Sequence, residues 1–405
     1  MDHRTVMDHP YAPWAADSGT PAHDEEKPGT PMLPAPALAV SRRTRHTPYS
    51  PRVEAQGVTS YTVYNHTLLP TSFSSLDQDY RHLKKHVQLW DVSCQRQVEV
   101  RGPDAARLVQ LMTPRDLSHA AIGQCLYAPL ADETGGMVND PVILKLAEDR
   151  FWLSIADSDV LLWAKGLAFG LGLKVSVEEP DVWPLAVQGP KADDLMASVF
   201  GEEVRAIRFF RFRTVVFRGH SLVVSRSGWS KQSGFEIFLD EPSLGLELWD
   251  ALWEAGRPLE VRAGCPNLIE RIEGGLLSYG NDMTRDNDPF ECGLDRYCSL
   301  DSPIEFIGRD ALREIVLRGI RRLIRGVRIV GAPVPACIEP WPVRSGGAGI
   351  GFVTSAAHSP HLGCNIGLAM LERGHWKPGR RVVVETPEGM RSATVADLPF
   401  VAKAR

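Results

Sequence analysis

Two carboxylates in this sequence stand where the surrounding pattern asks for apolar side chains. The first lies in Gly135-Gly136-Met137-Val138-Asn139-Asp140-Pro141-Val142-Ile143-Leu144, a Gly-Gly turn entering a strand. Alternation along that strand puts Val138, Asp140, Val142 and Leu144 on one face. An ionised carboxylate is costly to bury among aliphatic side chains. Asp140 must therefore be protonated, paired, or turned toward a cavity that holds a cationic or hydrogen-bonding ligand. Pro141 holds Asp140 extended and removes one ladder donor, and a structural Asp that ties down a loop fits the same pattern. The second lies in the run 225–239, where small and polar residues lead into a strand. There Phe235, Ile237 and Leu239 point one way, Glu236 and Phe238 the other. A Glu beside aromatic rings can accept two N–H bonds from a planar heterocycle while a ring packs on its face. A solvated strand carboxylate is the competing reading.

Tyr61, Tyr64, Tyr127 and Trp229 sit in polar, turn-rich surroundings rather than in apolar runs. Their faces can attract a cation by roughly 0.5–2 kcal/mol each, or they are half-buried packing residues. Other chemistries find little support. His66, His86 and His358 lack a second ligand at metal spacing, so no metal is expected. Cys94 and Cys125 have no evident partner base, and neither a Gly-x-Gly-x-x-Gly nor a Gly-x-x-x-x-Gly-Lys-Ser/Thr run follows a strand.

The elements that must position these residues alternate irregularly, which suggests an α+β fold. β-rich stretches cover 97–100, 151–155 and 215–224. Asn267, with Glu270 three residues on, caps a helix whose apolar face runs through Leu268, Ile269, Ile272, Leu276 and Tyr279 until Gly280 stops it. Gly274 and Gly275 inside it each cost about 1 kcal/mol, sensible only where another backbone or a ligand comes close. After a helix at 310–318, short strands at 323–330, 349–354, 365–371 and 381–385 read as a separate β-barrel.

Of the 405 residues, 43% are hydrophobic and 23% charged, which excludes disorder of the whole chain. The first 40 residues are the exception, a Pro-rich stretch expected to be a disordered tail or an over-long translation start. The expected body spans 41–305 and the barrel domain 306–405. A net charge of -5 and no polybasic run beyond Arg42-Arg43-Thr44-Arg45 argue against nucleic acid. No run approaches the ~18–20 apolar residues of a membrane span, and Met1-Asp2-His3-Arg4 opens no secretory signal. Seven scattered cysteines without a Cys-x-x-Cys pair fit a reducing cytoplasm.

Taken together, the motifs resemble the tetrahydrofolate-binding aminomethyltransferase superfamily, the fold of the glycine cleavage T-protein. Gly135-Gly-Met-Val-Asn-Asp140 is similar to its Gly-Gly-x-x-x-Asp strand, and Ser225-Arg-Ser-Gly-Trp-Ser with Gly234-Phe-Glu236 to its Ser-Arg-Thr-Gly-Tyr-Thr…Gly-Phe-Glu element. Arg271-Ile-Glu-Gly-Gly-Leu-Leu-Ser-Tyr-Gly-Asn-Asp282 is similar to its Arg-Leu-Glu-Ala-Gly-Leu…Tyr-Gly-x-Asp helix. The resemblance implies a T-protein-like body of mixed and antiparallel sheets with helices, plus a C-terminal β-barrel. Within the superfamily, runs such as Tyr61-Thr-Val-Tyr-Asn-His66, Arg226-Ser-Gly-Trp-Ser-Lys-Gln232 and Asn287-Asp-Pro-Phe-Glu-Cys-Gly293 resemble its sulfonium-demethylating members.

That closer resemblance implies a redox-neutral transfer of an S-methyl group from dimethylsulfoniopropionate to N5 of tetrahydrofolate, with no metal and no flavin. A sulfonium is a good leaving group, so the protein mainly has to hold N5 in line at roughly 3–3.5 Å. The resemblance further implies that Glu236 holds the 2-amino and N3 edge of the pterin and that Asp140 sits by N5 and N10 or by the sulfonium. Tyr127 and Trp229 would flank the ligands, with Tyr64 completing the pocket. Arg271 would approach the glutamate tail of folate or tie helix to sheet, and Trp376 would close the site from the barrel. Phe238 stands where those relatives carry Tyr, which removes one hydroxyl. Implied partners are the small-molecule substrate and folate, in a cytoplasmic homodimer. The alternatives are another folate-dependent methyl or aminomethyl transferase, such as the T-protein or an aryl-ether O-demethylase, and a folate-binding protein without turnover. The last carries a Lys-Gly-Cys-Tyr-x-Gly-Gln-Glu signature, where this chain reads Gly123-Gln-Cys-Leu-Tyr127-Ala-Pro.

Overall fold

A computed structural model describes residues 41–401, so the expected N-terminal tail lies outside the described residues. In the strand Gly234–Leu239, Phe235, Ile237 and Leu239 are buried against Leu195 and Met196 of the helix Ala192–Phe200 and against Leu248, Trp249 and Leu252 of the helix Gly245–Gly256. Phe238, on the other face, packs with Cys125, Leu144, Trp152 and Val182. Those partners come mainly from a second sheet, whose own far face carries Ile143, Leu153 and Val100 against the helices Ala105–Met112 and Val160–Gly170. The body is thus layered helix, sheet, sheet, helix, with an apolar seam where the sheets meet.

The first of these sheets has six strands in the order Phe212–Phe217, His220–Ser225, Gly234–Leu239, Trp183–Gln188, Gln88–Asp91 and Arg262–Gly264. The last pair is parallel and the others are antiparallel. The second has five antiparallel strands in the order Ser176–Glu178, Gln97–Arg101, Arg150–Ser154, Val142–Ala147 and Gln124–Tyr127. A bridge between Gln124 and Arg211 links the two sheets at one edge. The β-rich stretch 215–224 resolves into a hairpin that turns through Arg218 and Gly219, both at positive φ (51° and 80°), the conformation a tight hairpin turn demands.

The C-terminal region closes into a six-stranded barrel, Arg322–Ile329, Cys364–Glu372, Ala348–Ser359, Trp341–Ser345, Arg381–Thr386 and Gly389–Ala396. Val327, Val343, Val353, Leu371, Val384 and Val395 fill its interior. The helix Arg309–Arg318 turns Leu312 and Ile315 toward Ala131 and Phe306.

Two local expectations are corrected. The stretch 138–144 is not one strand: Met137–Asn139 belongs to a two-stranded ribbon, and the five-stranded sheet takes up again at Val142. Pro141 has no N–H to give, and the N–H of Asp140 goes to Asn139 Oδ1 at 2.9 Å, so the ladder is interrupted at the carboxylate. Val142 and Leu144 face the seam while Val138 packs on the helix side, so the four residues do not share one face.

The helix capped by Asn267 ends at Glu273, not at Tyr279. Gly275, at φ 63°, terminates it, with Leu276 N–H donating to Arg271 O (2.9 Å) and Gly275 N–H to Ile272 O (3.0 Å). At Gly274 a Cβ would lie 2.5 Å from Lys231 Cδ, so the lysine stem occupies the space that a side chain there would need. This short helix is a junction of buried charges. Glu270 accepts from Lys231 N (3.0 Å) and Gln232 Nε2 (2.8 Å), and Glu273 accepts from Tyr80 Oη (2.9 Å) and barrel Ser359 Oγ (2.5 Å).

Candidate functional site

Tyr127 ends its strand directly opposite Val142, which brings its ring alongside the interruption at Asp140. Its hydroxyl donates to Asp140 Oδ2 at 2.9 Å. Burial pushes the Asp140 carboxyl up to about 7, against the lowering effect of the Tyr127 hydrogen bond and with a further push from the charge of Asp282. Asn139, fully buried, fixes this carboxylate from behind: its amide donates to Ala156 O (3.0 Å) and Ser158 Oγ (2.8 Å) while its carbonyl takes the Asp140 N–H.

Tyrosines surround the pair. Tyr64 is raised by burial first, with Asp140 among the groups that push it further in the same direction. Tyr279 donates to Met137 O at 2.9 Å and is pushed up to about 12 by burial, with Asp140 adding to it. The Tyr297 ring meets the Tyr127 ring edge-on, 5.1 Å between centroids.

Glu236 lies on the other sheet and shares strand parity with Phe238, so it points into the seam rather than toward the helices. Burial raises its pKa, and the hydrogen bond donated by Ser227 Oγ offsets part of that. Ser225, opposite Glu236 in the pairing, stands 2.5 Å from Ser227 through their hydroxyls. Gly228 and Gly234 of the same motif clear room for Gln188: a Cβ on either would lie 2.1 or 2.4 Å from its amide nitrogen. That amide donates to Ser227 O (3.1 Å) and accepts from Ser230 Oγ (2.8 Å). Arg226 pairs with Asp193 at 2.6 Å, so most of the 226–233 run is spent on holding the loop that carries Trp229 and backs Glu236.

The remaining expected residues divide. The Arg271 guanidinium lies 5.7 Å from the Trp229 ring centroid. It pairs with Asp282 at 2.8 Å and donates to barrel Ser355 Oγ at 2.6 Å, and Asp282 in turn accepts from Thr354 and Ser355. Of its two expected roles, tying the helix to a sheet is the one these bonds carry out. Trp376 packs on the barrel core, its carbonyl accepting from Arg325 Nε at 3.2 Å, and among the described residues no hydrogen bond or ring contact joins it to Asp140, Glu236 or Trp229. Phe238 is 2% exposed, its ring 5.9 Å from that of Trp152, so a hydroxyl there would enter a closed apolar seam. Asn139, Asp282, Tyr279 and Tyr297 were not anticipated as site residues. Asn139, Tyr279 and Asp282 lie inside motifs the sequence displays, but only tertiary packing brings Tyr297 to Tyr127.

A carboxylate on a strand of one sheet and a second at the break before a strand of the facing sheet, with a β-barrel tied on through a buried arginine, define a T-protein-like body. The GCVT N-terminal domain matches residues 49–302 and the glycine cleavage T-protein C-terminal barrel domain residues 322–402, and the chain belongs to this family. Among its relatives, dimethylsulfoniopropionate demethylase DmdA of Ruegeria pomeroyi is 56% identical over 357 residues, covering 88% of this chain and 97% of that protein. The aminomethyltransferase of Symbiobacterium thermophilum is 32% identical, over 82% of this chain and 91% of its own length. The fold matches the crystal structure of glycine cleavage system aminomethyltransferase T from Bartonella henselae, with a TM-score of 0.79 at 24% identity over 88% of this chain and 98% of that one.

Proposed function

We propose that this chain moves an S-methyl group of dimethylsulfoniopropionate to N5 of tetrahydrofolate, leaving 3-(methylthio)propionate and 5-methyltetrahydrofolate. The observation that carries the reading is the 56% identity to DmdA, sustained over nearly the full length of that protein. The C–S bond breaks with its electron pair going to sulfur, the N5 lone pair takes the methyl carbon, and the N5 proton leaves.

The residues fit both ligands. Glu236 is a buried carboxylate with one side-chain donor, Ser227, aimed into the seam, so it can accept the N–H edge of a pterin. Trp229, on the loop that leads into the strand of Glu236, has the Arg271 guanidinium 5.7 Å from its ring centroid. Asp140 and the rings of Tyr64, Tyr127 and Tyr279 form an anionic, aromatic end suited to a sulfonium. With a carboxyl near about 7, Asp140 balances the cation when ionised and can receive the proton released from N5. The aromatic faces bind the cation more weakly than a direct ion pair would, which spares the ground state from over-stabilisation as the charge is neutralised. Seven unpaired cysteines accord with action in a reducing cytoplasm.

The test is a reaction of purified protein with S-methyl-deuterated dimethylsulfoniopropionate and tetrahydrofolate, read by mass spectrometry. Deuterated 5-methyltetrahydrofolate is expected. Its absence, with label transfer from an aryl methyl ether or aminomethyl transfer instead, would assign the chain to another branch of the family.

A further inference from the structure

Between the helix Ala105–Met112 and the strand Gln124–Tyr127 the chain turns through Thr113-Pro114-Arg115-Asp116, and this turn is clamped on every side. Thr113 Oγ1 donates to Pro129 O (2.7 Å) and accepts from Arg115 N (3.1 Å). Gln110 Nε2 donates to Arg115 O (2.9 Å), Pro114 O accepts from Ser299 N (2.8 Å), and Asp116 accepts from Ser302 Oγ (2.7 Å). The Arg115 stem is therefore held in place, and its guanidinium reaches the aromatic end of the site. It donates to the carbonyl of Tyr127 and lies 5.2 Å from the centroid of Tyr297, the ring that meets Tyr127 edge-on.

Arg115 has no anion beside it; Arg309 and Arg325 share that lack, but they donate to the carbonyls of Leu300, Ser302, Ile304 and Trp376, and only Arg115 of the three stacks on an aromatic ring of the site. Arg271, Arg226 and Arg322, also partly or fully buried, each have a carboxylate at 2.8, 2.6 and 2.9 Å. Among the described residues no carboxylate lies within ion-pair distance of Arg115. Burial lowers its pKa, and Arg296, over the same Tyr297 ring at 4.7 Å, adds a second positive charge rather than a counter-charge. Removing a guanidinium from water without a partner is unfavourable, and its planar fork of five N–H donors matches a carboxylate. One donor is used internally here, leaving the fork open for a ligand.

We infer that Arg115 is the carboxylate-recognising residue of this site. The inference rests on the methyl-transfer reading for the identity of its ligand. Both substrates of that reaction carry the chemistry: the sulfonium compound ends in a propionate, and folate ends in a glutamate. Selection for a carboxylate on one of them separates the physiological ligand from an otherwise similar neutral compound.

The experiment measures equilibrium binding to the full chain, so that it does not depend on turnover. Dimethylsulfoniopropionate is compared with its carboxamide in the absence of folate, and tetrahydrofolate with the carboxamide of tetrahydropteroate, which has neither the glutamate nor any other carboxylate. The proteins are wild type, Arg115→Met and Arg115→Lys. The wild type should prefer one carboxylate ligand over its neutral counterpart by about 10- to 100-fold, the range for a charge-assisted hydrogen-bonded pair. Arg115→Met should abolish that preference, and Arg115→Lys, which keeps the charge but not the fork, should fall between. Should Arg115→Met not fold, Arg115→Lys decides. Collapse of the sulfonium preference assigns Arg115 to the methyl donor. Collapse of the preference for tetrahydrofolate over its carboxylate-free counterpart assigns it to the folate tail. A wild type with neither preference, or variants that keep it, overturns the inference. Label transfer by the wild type is run in parallel, so failure of the methyl-transfer reading is distinguished from failure of the role of Arg115.

Discussion

Replacing Asp140 with Asn should stabilise the protein in a pH-dependent way while removing its activity. Burial raises the Asp140 carboxyl from 3.8 to about 7, so the folded state favours the protonated form. The stability this group contributes is fully present below pH ~4 and is lost as pH rises through about 7. Between pH 5 and 7 the loss amounts to about two pH units at 1.36 kcal/mol each, or about 3 kcal/mol. Asp140 is only half-buried as a residue, and water reaching it screens the charge, so about 1–2 kcal/mol is the figure to look for. Asn keeps an oxygen for the Tyr127 hydroxyl but cannot ionise. Urea unfolding of wild type and Asp140→Asn at pH 5 and pH 8 measures the effect through the midpoints. The variant should gain on the wild type by that amount between the two pH values, while methyl transfer falls at least 100-fold, the scale of a positioned acid–base group. A stability gap that stays constant with pH, or that narrows toward pH 8, would refute the account of Asp140 as a carboxylate held against its preference for water.

Three further outcomes follow from the geometry. Glu236→Ala should raise KM for tetrahydrofolate by about 10- to 100-fold with little change in the unfolding midpoint, because the carboxylate is spent on the ligand rather than on the fold; steady-state kinetics alongside thermal melts checks this. Tyr127→Phe removes the hydroxyl that favours the ionised form of Asp140, so the midpoint of the pH–rate profile should move up from about 7 by about one unit, and an unchanged or lower midpoint contradicts the hydrogen bond. Asp282→Asn leaves Arg271 buried without its charge partner and should cost about 3–5 kcal/mol in denaturant unfolding, a loss far larger than any exposed ion pair of this protein would give.

Much of the site was legible because strand alternation reports which side chains share a face. The reading succeeds at Glu236, whose strand runs unbroken and carries Phe235, Ile237 and Leu239 to the helices and Phe238 to the seam. It misplaces Val138, because alternation assumes a continuous ladder and the backbone leaves the sheet where Asn139 takes the Asp140 N–H. The apolar spacing after Asn267 overstates the helix for a related reason: Leu276 and Tyr279 keep that spacing, but a loop that packs on the protein half-buries apolar residues as well as a helix does. The glycines were the better signal there, since only Gly275 readily adopts φ 63°. The Arg226-to-Gln232 motif was readable as a motif but not as a scaffold, because its bonds run to Asp193, Gln188 and Glu270, which lie far off in the chain. Family resemblance supplied the ligands, and packing supplied Tyr297 and the unpaired Arg115.

The central claim is that the methyl group passes directly from sulfur to N5, with no side chain of the protein carrying it on the way. The most direct measurement uses a donor whose S-methyl group is chiral by virtue of its hydrogen isotopes and determines the configuration of the methyl group recovered on tetrahydrofolate. A single in-line displacement predicts inversion. Retention would mean two displacements through a methylated residue and would contradict the account.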